Sequence, residues 1–292
     1  MRIAYLIDSD SVGGGMEYVR RKIARNAERA GGEARVFFAD RGECRPAAVD
    51  AWRPDLVHVN HLRALLQLLA NPFRRPAAPV VFTVHGVHLR KYDFLPKTPL
   101  NRIKRFLRRS LEAYLYRRCA SLIALTETDA QYIRKTYGRN LDVRVEPNEI
   151  DEAELRSLDF VEGSFAYVCI GRFDFQKGQD RWLGHVAKHA REFRAKGLTT
   201  LFVGGGKTLA ECRAFAEEKG IGDLVRFEGE RQCAERYLKS ARTVVSPSRW
   251  EGMPYLLMKA RALGCDILAT DCPGNREVLE GYAKWKVLDF AE

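Results

Sequence analysis

Short apolar runs alternate with amphipathic helical stretches along nearly the whole chain, the pattern of parallel sheets with helices on both faces. In the first half, RIAYLI, ARVFFA, DLVHVN, VVFTVH, SLIALT and DVRVEP read as strands. A new series begins with FAYVCIG and continues through TTLFVGG, LVRFEG, RTVVSPS and CDILATD. Between the series lies NEIDEAELRSLDFVEGS, polar, acidic and poor in strand formers, which places a domain boundary near Ile150. The pattern predicts an α/β chain with domains at residues 1–150 and 151–292. Length agrees, because single cores tend to stop growing near ~250 to 300 residues and the chain has 292.

Composition narrows the setting. Seven cysteines (44, 119, 169, 212, 233, 265 and 272) form no CxxC pair, and an odd count argues against a fully bridged secreted scaffold, so a reducing cytoplasm fits best. MRIAYLIDSD reads as a first buried strand rather than a signal peptide, and no apolar run approaches the ~20 residues of a membrane span. The net charge of +11 is densest between His88 and Ala120. There Ile103, Phe106, Leu107, Leu111, Tyr114 and Leu115 recur at helical spacing, with Arg102, Lys104, Arg105, Arg108 and Arg109 between them. Two readings stand: a helix lying on an anionic membrane, or a core-packed helix with a solvated basic face. Nucleic acid is not expected as a partner, since no recognised binding motif accompanies the charge.

In parallel α/β sheets, ligands sit beyond the carboxyl ends of the strands, so the loops that follow strands are where chemistry is sought. After the first strand, Gly13, Gly14 and Gly15 precede a helix whose free N–H groups could receive an anion or a sugar hydroxyl; a structural turn is the alternative. The fourth strand runs into His85 and Gly86, a histidine that faces a cleft or serves a turn. His58 and His61, read as lying on one strand, lack a clear carboxylate partner and make a poor metal site. VGGGKT resembles part of a phosphate loop, but that loop needs glycine five residues before Gly206, where Leu201 stands. In GRFDFQKGQDRW, Gly171 to Trp182, Arg172 and Lys177 follow a strand end and Gly178 opens the next helix. Two cations near a helix N-terminus suit a diphosphate and could stabilise its leaving-group charge without metal.

Taken together, GGGMEYV, TVHG, ALTETDAQYI, VEPNEID, GRFDFQKGQD, FVGGGKT, VRFEGE, SPSRWEGMPYLLMKARALGCDILATD and PGNREVLE resemble glycosyltransferase family 4, the retaining sugar-nucleotide transferases of GT-B fold. The pieces occur in family order across most of the chain. The resemblance implies two Rossmann-like doubly wound domains, with the nucleotide sugar held by the second and a glycan or glycolipid acceptor approaching from the first. Arg172 and Lys177, in the loop opened by Gly171, would grip the diphosphate. Glu251 and the backbone around Gly252, Met253 and Pro254 would hold hydroxyls of the transferred sugar. His85 would face the reacting sugar, Gly14 and Gly15 would lie near the acceptor and phosphates, and Asn148 would lie near the hinge. No cofactor or metal is implied. UDP-hexoses are the first expectation for the donor, GDP-mannose the second, and lipopolysaccharide at the inner face of the cell membrane the expected acceptor.

Two departures stand out. Family members usually carry a second glutamate eight residues after the first, accepting hydrogen bonds from the ribose, and here that position is Lys259. Lysine has donors only, so Lys259→Glu is expected to tighten donor binding by ~10-fold or more. Pro254 is expected to start the helix that aims Lys259 at the cleft. The chain also ends in KWKVLDFAE, where the family commonly continues into helices that cross back to the first domain. A sugar-nucleotide epimerase and a silent nucleotide-sugar-binding protein are the rival readings.

Overall fold

The computed structural model describes residues 1–9 and 14–290, with the backbone alone for residues 14, 15 and 26–30. The chain divides into two compact units, Met1–Asn148 and Glu149–Glu292. In the first, β1 (Arg2–Ile7), β2 (Glu33–Phe38), β3 (Leu56–Val59), β4 (Val80–Val84), β5 (Ser121–Ala124) and β6 (Val143–Val145) form one parallel sheet in the order β2-β1-β3-β4-β5-β6. In the second, β7 (Phe165–Ile170), β8 (Thr200–Val203), β9 (Val225–Gly229), β10 (Ala241–Ser246), β11 (Asp266–Ala269) and β12 (Trp285–Val287) form another, in the order β12-β11-β10-β7-β8-β9. Helices cover both sheets, giving two Rossmann-like layers.

The apolar runs become strands because both faces are covered, so nearly every position needs an apolar side chain. In β7, Val168 and Ile170 join the apolar cluster on one face of the sheet, while Cys169 joins Phe173, Trp182 and Phe202 on the other. Eleven of the strands were legible as such runs. β12 was not: it has three residues, none buried, and gains its identity from pairing with β11 at Ile267↔Trp285.

Two local expectations change. The first helix spans Gly14–Ala30 and takes in Gly14 and Gly15, which were expected to precede it; Gly13 lies outside the described residues. The basic helix spans Pro99–Tyr116, capped by Thr98, whose hydroxyl accepts from the Asn101 N–H. Its apolar residues are not core-packed along most of its length. Ile103, Phe106 and Leu107 are 57%, 66% and 60% exposed, and Leu100 and Leu111 are exposed as well. Leu115 and Tyr116 are buried, together with Glu112, whose carboxylate is bonded by Arg108 and by the Tyr137 hydroxyl. The last turn is therefore anchored, and the rest presents apolar and basic side chains to solvent.

Candidate functional site

The second sheet reverses its winding between β7 and β10, so the loops leaving the carboxyl ends of these neighbours turn opposite ways and open a crevice. Lys177, after β7, and Glu251, after β10, meet there across 74 positions of sequence: the Lys177 Nζ donates to Glu251 Oε1 at 2.6 Å. Ser248 Oγ donates to the same oxygen at 2.6 Å. Glu251 is buried, and burying a carboxylate is costly unless it is paired and hydrogen-bonded. Both conditions are met here. The small pocket around the pair is lined by Ile170, Lys177, Gln179, Ser248, Glu251 and Leu256.

Both loops are braced. Arg249 forks onto Asp180, with Nη1–Oδ1 at 2.9 Å and Nη2–Oδ2 at 2.5 Å, and lies 4.0 Å from the Phe175 ring centre. The Gln176 amide donates to the Trp250 carbonyl at 3.0 Å. Buried Gln179, the first residue of the helix Gln179–Lys188, donates through Nε2 to the carbonyls of Gly171 and Arg172. The VGGGKT stretch also serves this loop: Phe173 N–H donates to the Gly205 carbonyl at 2.7 Å, and Thr208 N–H to the Phe173 carbonyl at 3.2 Å. Behind the Glu251 loop, Thr270 Oγ1 donates to the Ser248 carbonyl at 2.6 Å. Gly274 packs so closely that a side chain there would meet the Gly252 carbonyl.

Other residues expected at this site fall elsewhere on its rim. Arg172 is 70% exposed and paired with Asp174 at 2.7 Å, on the same loop as Lys177 but not in contact with Glu251. Gly252 is buried, and half-buried Met253 packs on the apolar cluster beneath. Pro254 caps the helix Tyr255–Ala262 and is not its first residue. Lys259 lies one turn inside that helix, and its Nζ donates to Glu235 Oε1 at 3.1 Å. It is nearly buried, so it is a held ion-pair partner, not a loose replacement for glutamate.

In the first unit, His85 follows β4 and is half-buried. Its Nε2 lies 3.4 Å from Asn60 Oδ1, and its ring meets Tyr18 edge-on at 5.0 Å. Burial, with the neighbouring imidazoles of His61, His58 and His88, pushes its pKa down to about 3. It is therefore neutral at physiological pH, able to donate one hydrogen bond and accept another. His58 is buried on β3 against Thr83 Oγ1 at 2.7 Å, its pKa pushed down to about 4, chiefly by burial. His61 lies beyond β3 as the cap of the helix Leu62–Leu69 and accepts from the Asp8 N–H through Nδ1, so the two do not share a strand. Asn148 is buried at the end of this unit. No group of three His, Cys, Asp or Glu able to hold a metal occurs among the described residues, and all seven cysteines are free.

Three residues escaped the sequence reading. Ser248 carried only a weak signal: SRWE places a hydroxyl three residues before the carboxylate, close enough in the chain for the two to meet in a turn. Gln179 follows a helix-opening glycine and gave only position as a hint. Glu235 gave none, because its contact with Lys259 exists only after folding.

Two family models match the chain. One described as "Glycosyl transferases group 1" covers residues 164–289, and one described as "Glycosyltransferase Family 4" covers residues 45–154. Among curated proteins, the 2-deoxystreptamine N-acetyl-D-glucosaminyltransferase of Streptomyces fradiae is 26% identical over 243 residues, 78% of this chain and 57% of that protein. The chain thus spans about half the length of the curated relatives it matches. Among solved structures, sucrose-phosphate synthase from Thermosynechococcus elongatus aligns with a TM-score of 0.76 at 18% identity, over all of this chain and 86% of that one. Anabaena HepE in complex with UDP-glucose aligns with a TM-score of 0.72 at 18% identity, over 95% of this chain and 82% of that one. These neighbours establish the GT-B fold.

The brace behind Glu251 is open to test. In Gly274→Ala the new Cβ would stand 2.2 Å from the Gly252 carbonyl oxygen, and the backbone must shift to admit it. We expect a loss of about 1–3 kcal/mol in urea unfolding, the usual range for overpacking. Gly222→Ala, where nothing lies within 4 Å, should stay within about 0.5 kcal/mol of the parent. Equal stabilities for the two variants would show that the Glu251 loop is not held by this contact.

Proposed function

We propose, for a chain that belongs to glycosyltransferase family 4, that it moves a hexose from a nucleotide sugar to a hydroxyl of a glycan or glycolipid with retention of anomeric configuration. The observation that carries this reading is the Lys177–Glu251–Ser248 cluster at the reversal point of the second sheet. A glycosyl diphosphate presents two kinds of group to a protein, anionic oxygens and sugar hydroxyls. An ammonium answers the first and a carboxylate the second. Lys177 has three N–H donors, so it can keep its bond to Glu251 and still donate to a phosphate. Both bonds to Glu251 fall on Oε1, which leaves Oε2 to accept from a hydroxyl.

In the reaction, the bond from the anomeric carbon to the phosphate oxygen breaks as the bond to the acceptor oxygen forms on the same face of the sugar. The departing phosphate takes the acceptor proton, and Lys177 and Arg172 stabilise the charge that develops on it, with no metal required. Exposed Arg172 has only a surface pair with Asp174 to give up, and such pairs are worth about 0–1 kcal/mol. In the first unit, neutral His85 has one hydrogen bond to donate and one to accept, the pairing that a hydroxyl-bearing ligand needs. UDP-hexose is the favoured donor, in keeping with the UDP-glucose bound by the Anabaena neighbour, and GDP-mannose the second. The acceptor is a surface glycan such as lipopolysaccharide. A lipid-linked acceptor of this kind suits the Pro99–Tyr116 helix, whose exposed Leu100, Ile103, Phe106 and Leu107 are interleaved with Arg102, Lys104, Arg105 and Arg108. Apolar side chains entering the headgroup boundary while cations meet anionic lipid support the reading of peripheral attachment at the inner face of the cell membrane.

Two experiments test this reading. Arg172→Ala or Lys177→Ala should lower kcat by roughly 10²- to 10³-fold, the loss seen when one donor to a developing anion is removed, with activity insensitive to EDTA. Near-normal rates at saturating donor, or activity abolished by EDTA and restored by magnesium or manganese, would overturn the assignment. Product analysis with and without acceptor separates transfer from epimerisation, and a total absence of turnover and donor hydrolysis would favour the silent binder. For the helix, sedimentation with vesicles containing phosphatidylglycerol should exceed that with neutral vesicles and fall as salt shortens the Debye length from ~10 Å at 0.1 M to ~3 Å at 1 M. Equal binding to both vesicle types, or none to either, would leave a solvated face.

A further inference from the structure

Lys259 reaches Glu235, which lies 24 positions earlier in the chain. We infer that Glu235 supplies the carboxylate that grips the ribose of the donor, a role the Glu251 motif leaves unfilled, and that Lys259 holds it in place. The inference rests on the nucleotide-sugar reading above and adds to it the residue that recognises the nucleoside.

The placement follows from the helix Tyr255–Ala262. Leu256 forms part of the pocket wall beside Lys177 and Glu251. Lys259 comes three residues later, a neighbour on the helix surface about one turn farther from the diphosphate cations. Along a nucleotide sugar the ribose is the next group beyond the diphosphate, so a group one turn from the pocket is where its hydroxyls need a partner. A lysine there offers donors only, whereas a ribose hydroxyl must also give up its own proton to an acceptor.

Glu235 meets that need. It sits in a short 3₁₀ helix, Ala234–Lys239, whose Ala234 and Tyr237 pack on the same apolar cluster as Leu256 and Met258. The backbone carrying the carboxylate is thereby fixed against the helix that carries Lys259. The bond from Lys259 falls on Oε1 at 3.1 Å, and Oε2 accepts no other bond among the described residues. The Glu235 side chain is 28% exposed while that of Lys259 is 12% exposed. The acid is the member of the pair that a ligand can reach, and the lysine is the member that orients it.

This exchange reverses the effect expected of Lys259→Glu. A glutamate at 259 would set a second carboxylate against Glu235, where like charges repel, and would free Glu235 from its anchor. The substitution that restores the usual family residue should therefore weaken the site.

Calorimetric titration with UDP and with 2′,3′-dideoxy-UDP reads the ribose contact directly. Hydrogen bonds to a charged group support a preference of about tenfold or more for UDP in the parent protein. Glu235→Gln should erase most of that preference while leaving affinity for the dideoxy compound near the parent value, the coupling that marks a direct contact. Lys259→Glu should weaken UDP binding, and the exchanged pair Glu235→Lys with Lys259→Glu should recover part of it. Lys259→Met, which keeps Glu235 but removes its anchor, should reduce the preference and gives a second reading if Glu235→Gln unfolds; thermal unfolding of each variant identifies that case. A preference unchanged in Glu235→Gln or in Lys259→Met, its absence in the parent, or tighter UDP binding by Lys259→Glu would overturn this inference alone. A parent protein that binds neither UDP nor GDP would overturn the donor reading and this inference with it. Binding of GDP but not UDP moves the same measurements to GDP and its dideoxy analogue, with the same criteria.

Discussion

A carboxylate buried at the reversal point of the second sheet needs a cation, and much of that unit is arranged so that Glu251 has one. Lys177 reaches it only because β7 and β10 are neighbours while their following loops leave in opposite directions. Breaking such a pair by removing one partner typically costs about 3–5 kcal/mol, because the other charge is stranded. The surrounding bonds then make sense as one assembly. Gln179 ties down the start of the Lys177 loop, Arg249 and Gln176 join it to the Glu251 loop, and Thr270 fixes the Ser248 carbonyl from behind. Each brace is a fixed distance that the functional pair would otherwise have to secure by itself. Preorganisation of this kind lets charged groups act on a ligand without reorganising when it arrives.

The two units use charge differently. The second keeps ionised groups in pairs, Lys177 with Glu251 and Lys259 with Glu235. The first keeps His58 and His85 neutral, chiefly by burial, which holds both far below the ordinary imidazole range. Its densest run of exposed cations lies on the Pro99–Tyr116 helix. A neutral polar cluster suits hydroxyl-bearing partners and an amphipathic basic helix suits an anionic surface.

How much of this could be read from sequence depends on whether the signal is local. The sheets were legible because a doubly covered parallel strand is apolar at consecutive positions, and runs such as RIAYLI and FAYVCI are too short for a helix and recur between helical stretches. β12 was hidden because WKV is short and defined only by its neighbour. Lys177 was legible as a candidate because it lies just past a strand end, and Glu251 through the family resemblance, but their direct pairing was not, because sequence does not reveal which loops cross at the reversal point. Lys259 shows the same limit most clearly. Taken alone it is a donor where an acceptor is usual, and only the fold reveals the carboxylate it holds. The basic helix failed in the opposite direction: its 3.6-residue periodicity fits a core-packed helix equally well, and only the exposure of Ile103, Phe106 and Leu107 separates the two.

Everything proposed for the second unit depends on a nucleotide sugar binding where the loops after β7 and β10 meet. Hydrogen–deuterium exchange of the whole protein, with and without saturating UDP-glucose, measures this most directly. Exchange should slow in residues 171–178 and 246–256, centred on Lys177 and Glu251, at ligand concentrations that also raise the thermal midpoint. A raised midpoint with unchanged exchange in both segments would mean that the donor binds elsewhere and that the Lys177–Glu251 pair is not its site.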